Sequence, residues 1–284
     1  MAKKKIDLTD DNYYSSEMNK KYCSVSQLKN FIGTPANDGC EYRAMKELNG
    51  EYIRPETDAL LVGSYVDTAL LEPEKMESFR VLHPEMISTR GVTAGQVKAE
   101  FKIADRMIEK VKNDKKCAKL LLDANHQTIM TGELWGLPFK IKMDAYNEKW
   151  IADLKTCEDI YKGYYAKGLG TLNFIEYFDY VLQGAIYQEI VRQNTGKTLP
   201  FYIVAVSKQK DEPDIQAIWI DNESLKRKLF GDELANGIQD EITRVRQIKA
   251  GEIEPCKCGK CLPCRQTKVV DRIIDWRELL GEIK

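Results

Sequence analysis

Along residues 137–146, LPFKIKMDAY, apolar and polar positions alternate, and they alternate again from Trp150 to Lys155. Asn147-Glu148-Lys149 separates the two runs. A period of two broken by a short polar turn predicts a β-hairpin. Thr128 to Leu134 predicts a strand leading into it, and Leu199 to Ser207 and Ile215 to Ile220 predict two more. Other stretches carry the helical period of three and four. Ser24-Val25-Ser26 before LKNFI reads as a short capped helix; a Gly/Pro/Asn turn and a second helix at Cys40 to Leu48 follow. Asp58 to Leu71, DALLVGSYVDTALL, is a strongly apolar helix that Glu72-Pro73 ends. Gln96 to Asn113, Asn173 to Asn194, Glu223 to Lys249 and Asp275 to Ile283 complete the helices. Helix, strand, strand, strand, helix, strand, strand, helix is the order of a mixed α/β sheet covered by helices.

The alternation also places chemistry. Side chains two apart on a strand point the same way, so Asp153 and Lys155 share a face, and Asp144 can meet them across the hairpin. Two carboxylates and an amine at the end of a sheet can hold a divalent ion and activate a water beside it. An Asp-x-Lys pair on an exposed strand is more often a solvated ion pair of little worth. Asp67, inside the apolar helix, needs a partner, a cap or a metal, because an unpaired buried carboxylate is costly. Gly63 in the same helix reads as a point of close packing. Tyr180, Gln183, Tyr187 and Ile190 line one helical face, and Gln183 is the amide on a face that packs toward the sheet. The stretch after Thr156 reads as a loop, with Tyr161, Lys162, Tyr164, Tyr165 and Lys167 interleaving aromatic and basic groups.

Composition bounds the rest. The 284 residues are 43% hydrophobic, enough for a sizeable core, and contain no apolar run of membrane-spanning length. A net charge of −1 gives no global cationic field, so a nucleic-acid surface would be a local basic groove. MAKKKIDLTDD lacks an apolar signal core and reads as the start of a flexible tail, residues 1–23. A core domain at 24–250 and a cysteine-rich segment at 251–284 follow. Four of the eight cysteines, Cys256, Cys258, Cys261 and Cys264, crowd into EPCKCGKCLPCRQTK. Without a secretory signal, such crowding predicts a metal site in a reducing compartment, the cytoplasm, rather than disulfides. Zinc held by four thiolates is one occupant. The run Cys258, Cys261, Cys264 also suits three corners of a [4Fe–4S] cluster with a remote fourth ligand.

Four pieces taken together resemble the PD-(D/E)xK nuclease superfamily: GSYVD at Gly63 to Asp67, the isolated Asp144, DLK at Asp153 to Lys155 and QGAIY at Gln183 to Tyr187. The match is closest to phage exonucleases of the RecE and lambda-exonuclease kind, and QGAIY fits the Q-x-x-x-Y signature of the RecB-like branch. The resemblance implies a restriction-endonuclease-like mixed sheet flanked by helices, with the cysteine knuckle C-terminal to it. It implies that Asp67, Asp144, Asp153 and the carbonyl of Leu154 hold one or two Mg²⁺ ions, with Mn²⁺ able to substitute. Lys155 would orient or deprotonate the attacking water, or stabilise charge on the phosphate. Gln183 would hold the lysine, the water or the DNA, and Tyr187 would brace its helix. Asp67 departs from the pattern, which has histidine there in the RecB-like branch and glutamate in the comparable region of lambda exonuclease.

The implied activity is Mg²⁺-dependent hydrolysis of linear double-stranded DNA, 5′ to 3′, by a phage or prophage protein in a bacterial cell. The 3′ strand left behind would go to a RecT-type annealing protein for recombination. The implied assembly is a ring-shaped homo-oligomer, a trimer or tetramer, with no membrane partner. A 5′-phosphate pocket would need cations, and Arg43, then Lys29 and Arg90, are the candidates. The alternatives are an endonuclease or CRISPR-adaptation-like nuclease with the same core, and a degenerate core that only binds nucleic acid. A second resemblance concerns the cysteines. Iron–sulfur nucleases of the AddB and CRISPR-adaptation kind place one cysteine before the core and three after it. That pattern makes Cys40 the fourth ligand and Cys256 surplus, whereas the zinc scheme requires Cys256.

Overall fold

The computed structural model describes residues 7–55 and 57–280. Strands form where the chain alternates or runs apolar: β1 (Asn125–Leu134), β2 (Leu137–Tyr146), β3 (Ile151–Cys157), β4 (Tyr164–Ala166), β5 (Gly170–Leu172), β6 (Phe201–Ser207) and β7 (Ile215–Ile220). The helices before β1 are α1 (Ser16–Lys21), α2 (Val25–Ile32), α3 (Glu41–Leu48), α4 (Asp58–Leu71), α5 (Met76–Leu82), α6 (Ala99–Asn113) and α7 (Lys115–Leu122). After β3 come α8 (Phe174–Tyr177), α9 (Tyr180–Thr195), α10 (Asn222–Phe230), α11 (Gln239–Ala250) and α12 (Leu262–Gln266). One sheet has the order β1-β2-β3-β6-β7, and β4 pairs with β5 apart from it. Only β3 and β6 are parallel in that sheet, so they need a crossover, which α9 supplies. The mixed sheet flanked by helices is therefore the observed architecture.

Alternation along the central strands assigns their faces. Ile151, Ile203 and Ala205 join residues of α2, α9, α10 and α11 in one apolar cluster. Ala152, Leu154, Val204 and Val206 join α4, α6 and α7 in another. Asp153 and Lys155 alternate with Ala152 and Leu154 and so belong to the α9 face. No helix among the described residues is long and apolar enough to cross a membrane.

The hairpin holds a departure from regular pairing. β2 and β3 are in register at Ala145–Ala152 and Tyr146–Ile151. Beyond that point the amide of Leu154 donates to a side chain, Asp144 Oδ2, at 2.9 Å. The strands part there, and β2 needs another partner for its backbone. The N-terminal segment provides one: Cys23 N donates to Pro138 O at 2.8 Å, and Lys140 N donates to Cys23 O at 2.9 Å.

Several sequence expectations are corrected here. The flexible tail expected over residues 1–23 is folded across its described part, residues 7–23. Tyr13, Met18 and Cys23 are buried, and α1 is capped by Ser15. Residues 1–6 lie outside the described residues. The single helix expected from Glu223 to Lys249 is two, α10 and α11. Gly231 takes φ 76°, and a Cβ on it would lie 2.4 Å from Gly237 N, so the intervening loop folds tightly on itself. The helix expected from Asn173 to Asn194 is likewise split into α8 and α9, because Asp179 takes φ 52° and caps Leu182 N. The presumed loop after Thr156 contains the β4–β5 hairpin. At the C-terminal side a 3₁₀ turn, Trp276–Leu280, stands where a helix to Ile283 is expected, and residues 281–284 lie outside the described ones.

Of the two glycines inside α4 and α9, Gly184 rather than Gly63 is the point of close packing. A Cβ on Gly63 would meet Thr156 Oγ1 at an ordinary 3.4 Å, while one on Gly184 would lie 2.6 Å from Phe201 Cδ1 and 2.9 Å from Leu225 Cδ2. Phe201 and Leu225 are themselves buried. Alanine in a helix gains about 1 kcal/mol over glycine, but overpacking a core loses about 1–3 kcal/mol. Gly184→Ala is therefore expected to lower the urea midpoint; an unchanged or higher midpoint would refute this packing.

Candidate active site and cysteine cluster

Four elements bring the candidate residues together at the parting of β2 and β3. Asp144 ends the paired part of β2, Asp153 and Lys155 stand on β3, Asp67 on α4 and Gln183 on α9. Asp153 is buried, and its Oδ1 accepts from Gln183 Nε2 at 2.6 Å. Its Oδ2 is ion-paired with the Lys155 ammonium yet accepts no aligned hydrogen bond. The Lys155 ammonium also lies 5.1 Å from the centre of the Tyr180 ring. Tyr187 donates its hydroxyl to Lys142 O at 3.0 Å and so ties α9 to β2.

The charges here are held under tension. Burial pushes the Asp67 carboxyl up to about 7; Lys155 opposes this, while Asp153 and Glu72 add to it. Burial and the facing Asp153 and Asp67 push Asp144 well above the usual carboxylate range, against Lys155 and the Leu154 amide. Burial alone would lower Lys155, but Asp153, Tyr180 and Asp144 outweigh it and hold the ammonium above its ordinary value. Crowded, buried acids with one unaligned oxygen are what a hard divalent cation relieves. Carboxylate oxygens are the ligands that hard divalent cations take. Among the described residues only the cysteines bring three or more ligand atoms within 4.8 Å of one another, so the carboxylates stand wider apart, with Lys155 against Asp153.

A cavity of about 370 Å³ adjoins the site, lined by Lys155, Gln183 and Tyr187 and by Lys29, Lys140 and Lys142. Ser24 and Ser26, at the start of α2, line it too. Of the expected cations only Lys29 lies here. Its Nζ donates to Phe178 O at 2.8 Å, and burial lowers its pKa to about 8. Arg43 is turned away beside the cysteines, donating to Asp38 O at 3.0 Å with Glu47 within 3.7 Å. Arg90 is exposed and does not line this cavity. Lys140 and Lys142 were missed, although Lys-x-Lys-x-Asp along β2 carries the period that would have found them.

The cysteines converge across the chain. The sulfurs of Cys40, Cys258, Cys261 and Cys264 all lie within 4.8 Å of one another. Cys40 Sγ is 3.5 Å from Cys264 Sγ and 3.7 Å from Cys261 Sγ. Backbone amides point at the sulfurs: Lys260 N and Cys261 N donate to Cys258 at 3.4 and 3.3 Å, and Arg43 N to Cys40 at 3.4 Å. Burial opposes ionisation of Cys258, but those amides outweigh it and lower the thiol to about 6. Burial instead raises Cys40, and raises Cys261 to about 12, so a thiophilic metal bound by all four clustered sulfurs would have to displace protons there. Cys256 is outside it, exposed and hydrogen-bonded to Arg244 at 3.2 Å. The zinc scheme that requires Cys256 is therefore corrected: Cys40 takes that place.

Residues 24–267 match the family described as "PDDEXK-like domain of unknown function (DUF3799)". The chain belongs to this PDDEXK-like family. A crystal structure of a Eubacterium rectale protein named "Putative exonuclease" is 39% identical, covering 98% of this chain and 100% of that one, with a TM-score of 0.87. That likeness extends the family's fold over the N-terminal segment and the cysteine cluster alike. A structure of SSO0001 aligns at 14% identity and a TM-score of 0.27, over 73% of this chain and 82% of that one, and carries no argument. No curated protein matches.

Two outcomes follow for this PDDEXK-like site. Asp67 and Asp144 bind protons more tightly folded than at their ordinary 3.8, so metal-free stability falls as pH rises through their folded values. Asp144→Asn should raise the metal-free melting temperature at pH 8 and change it little at pH 4. Mn²⁺ should stabilise the wild type more at pH 8 than at pH 6, because protons no longer compete. Equal melting of variant and wild type at pH 8 would refute the strain. Separately, Cys40→Ser should lose the cysteine-bound metal on elemental analysis, while Cys256→Ser should keep it; the reverse would overturn the ligand set.

Proposed function

We propose that the protein is a metal-dependent exonuclease that digests linear double-stranded DNA from a 5′ end. The observation that carries this is the junction of the Asp144–Asp153–Lys155–Gln183 group with a lysine-lined cavity. Membership of a nuclease family and the name borne by the Eubacterium rectale protein support nuclease chemistry. The direction, the duplex substrate and the following roles are inferred from the resemblance to RecE- and lambda-type exonucleases. In this reading the 3′ strand passes to a single-strand annealing protein of the RecT type, the protein acts in the cytoplasm of a phage-carrying bacterium, and several copies form a ring around DNA.

Asp67, Asp144, Asp153 and the Leu154 carbonyl would hold Mg²⁺, or Mn²⁺ in its place. Bound there, the ion supplies charge that polarises a phosphodiester and acidifies a water. The chain's own groups do the rest. Lys155, an ammonium paired with Asp153, would stabilise charge building on the phosphate. Gln183 fixes the rotamer of Asp153, and Tyr187 holds α9 at its distance from β2. Lys29 and the hydroxyls of Ser24 and Ser26 would receive a terminal 5′-phosphate, while Lys140 and Lys142, held by the N-terminal segment, would add positive charge to the cavity wall. This replaces Arg43 and Arg90 as the phosphate ligands.

The cysteine cluster would be structural, tying the C-terminal segment to α3. One ligand upstream and three downstream supports a [4Fe–4S] cluster, as in iron–sulfur nucleases. The sulfur separations of 3.5 and 3.7 Å favour a second reading, one zinc ion, since thiolates ~2.3 Å from zinc stand ~3.8 Å apart. A brown protein with stoichiometric iron and sulfide selects the first.

Linear duplex labelled at either end and carrying 5′-phosphate or 5′-hydroxyl tests the function. Loss of label from the 5′ end in Mg²⁺ is expected, faster with the phosphate. Lys155→Ala should slow it about 10²–10³-fold without unfolding, and Lys29→Ala should erase the phosphate preference. Undigested DNA after long incubation in Mn²⁺, with binding retained, would leave a nucleic-acid-binding protein instead.

A further inference from the structure

The gap between β2 and β3 has two ends, and residues 7–23 close one of them. At the narrow end Asp144 and Asp153 stand where the strands part. Moving outward along β2 come Lys142 and Lys140, and then Cys23 seated on the backbone of Pro138 and Lys140. The N-terminal segment is tied down at several points. Tyr13 is buried, its ring 4.4 Å from the Lys140 ammonium, and Lys140 also donates to Tyr13 O and, at 2.7 Å, to Asn19 Oδ1. Asp10 bridges Lys142 at 2.6 Å and Lys75 at 2.7 Å. Lys75 pairs in turn with Glu72, the residue that ends the Asp67 helix. From the other side Lys249 of α11 donates to Asn19 O at 3.1 Å and to Tyr22 O at 2.9 Å.

Such anchoring exceeds what a surface tail needs, and it lies across the path leaving the carboxylates. Tyr13, Tyr14 and Asn19 share the lining of the cavity with Lys155 and Gln183. Its volume of about 370 Å³ is at the small end of ligand pockets, ~300–1,000 Å³, room for one nucleotide.

We propose that residues 10–23 form an end stop: the terminal nucleotide of a strand fills the cavity between Lys155 and Tyr13, and the strap bars any strand that continues. This rests on the nuclease reading and adds to it the cause of end-dependence and the size of the product. An opened strap would let an internal stretch of strand reach the carboxylates.

Asp10→Lys tests this, since it sets a like charge against Lys142 and Lys75 on a half-exposed side chain that no core needs. Tyr13→Ala is the second variant, with a melting curve for each. Wild type should leave covalently closed circular duplex intact in Mn²⁺ and release mononucleotides from linear duplex. The strap variants should nick the circle and release short oligonucleotides, and adding Asp153→Ala should abolish the nicking. Folded Asp10→Lys protein that spares circles and still releases mononucleotides would overturn the proposal, as would nicking by wild type. A wild type inert on linear duplex would instead remove the nuclease reading itself.

Discussion

The structure depends on two strands ceasing to pair. After Ala145–Ala152 and Tyr146–Ile151, the backbone of β3 turns to a side chain, Asp144, and the backbone of β2 turns to Cys23. Each lost ladder bond must be replaced, because an unpaired buried amide is costly. The replacements recruit one catalytic candidate and one whole N-terminal segment. A continuous ladder would bury the same residues in a flat sheet and leave no gap between Lys142 and Lys155.

That gap is filled with charge that the fold does not welcome. Asp67 and Asp144 are acids raised by burial and by the nearby Asp153, and Lys155 is the cation that moderates them. Functional groups held this way subtract from stability, and the apolar clusters on both sheet faces offset them. The cysteine site follows the opposite logic only in part. Amides point at Cys258 and Cys40 and lower the Cys258 thiol, so at that sulfur the fold favours the charged form, while burial keeps Cys40 and Cys261 raised.

The strands of the hairpin and the apolar helix α4 are legible in the sequence because their patterns are local. Leu137–Tyr146 and Asp58–Leu71 coincide with the observed elements. Asp144, Asp153, Lys155 and Gln183 are legible as polar residues on strand and helix faces that should be apolar. What the sequence hides is non-local. Cys23 pairs with β2 because β3 has left, which no window around Cys23 contains. Lys140 reads as an outward-facing strand lysine, yet it is 1% exposed under Tyr13. Cys256 looks like a metal ligand by proximity, and Cys40, far upstream, displaces it. The break between α10 and α11 hangs on backbone contact between Gly231 and Gly237, which helical periodicity does not register.

Cys40 and Cys264 are 224 positions apart. Every strand of the sheet is translated between them. A ribosome-bound chain can thus complete its β-structure while Cys40 still waits for its three partners, and a metal held by all four sulfurs would enter only after the sheet is made. In an iron- or zinc-starved cell, the species that accumulates would be a nearly finished fold with an unfastened clasp.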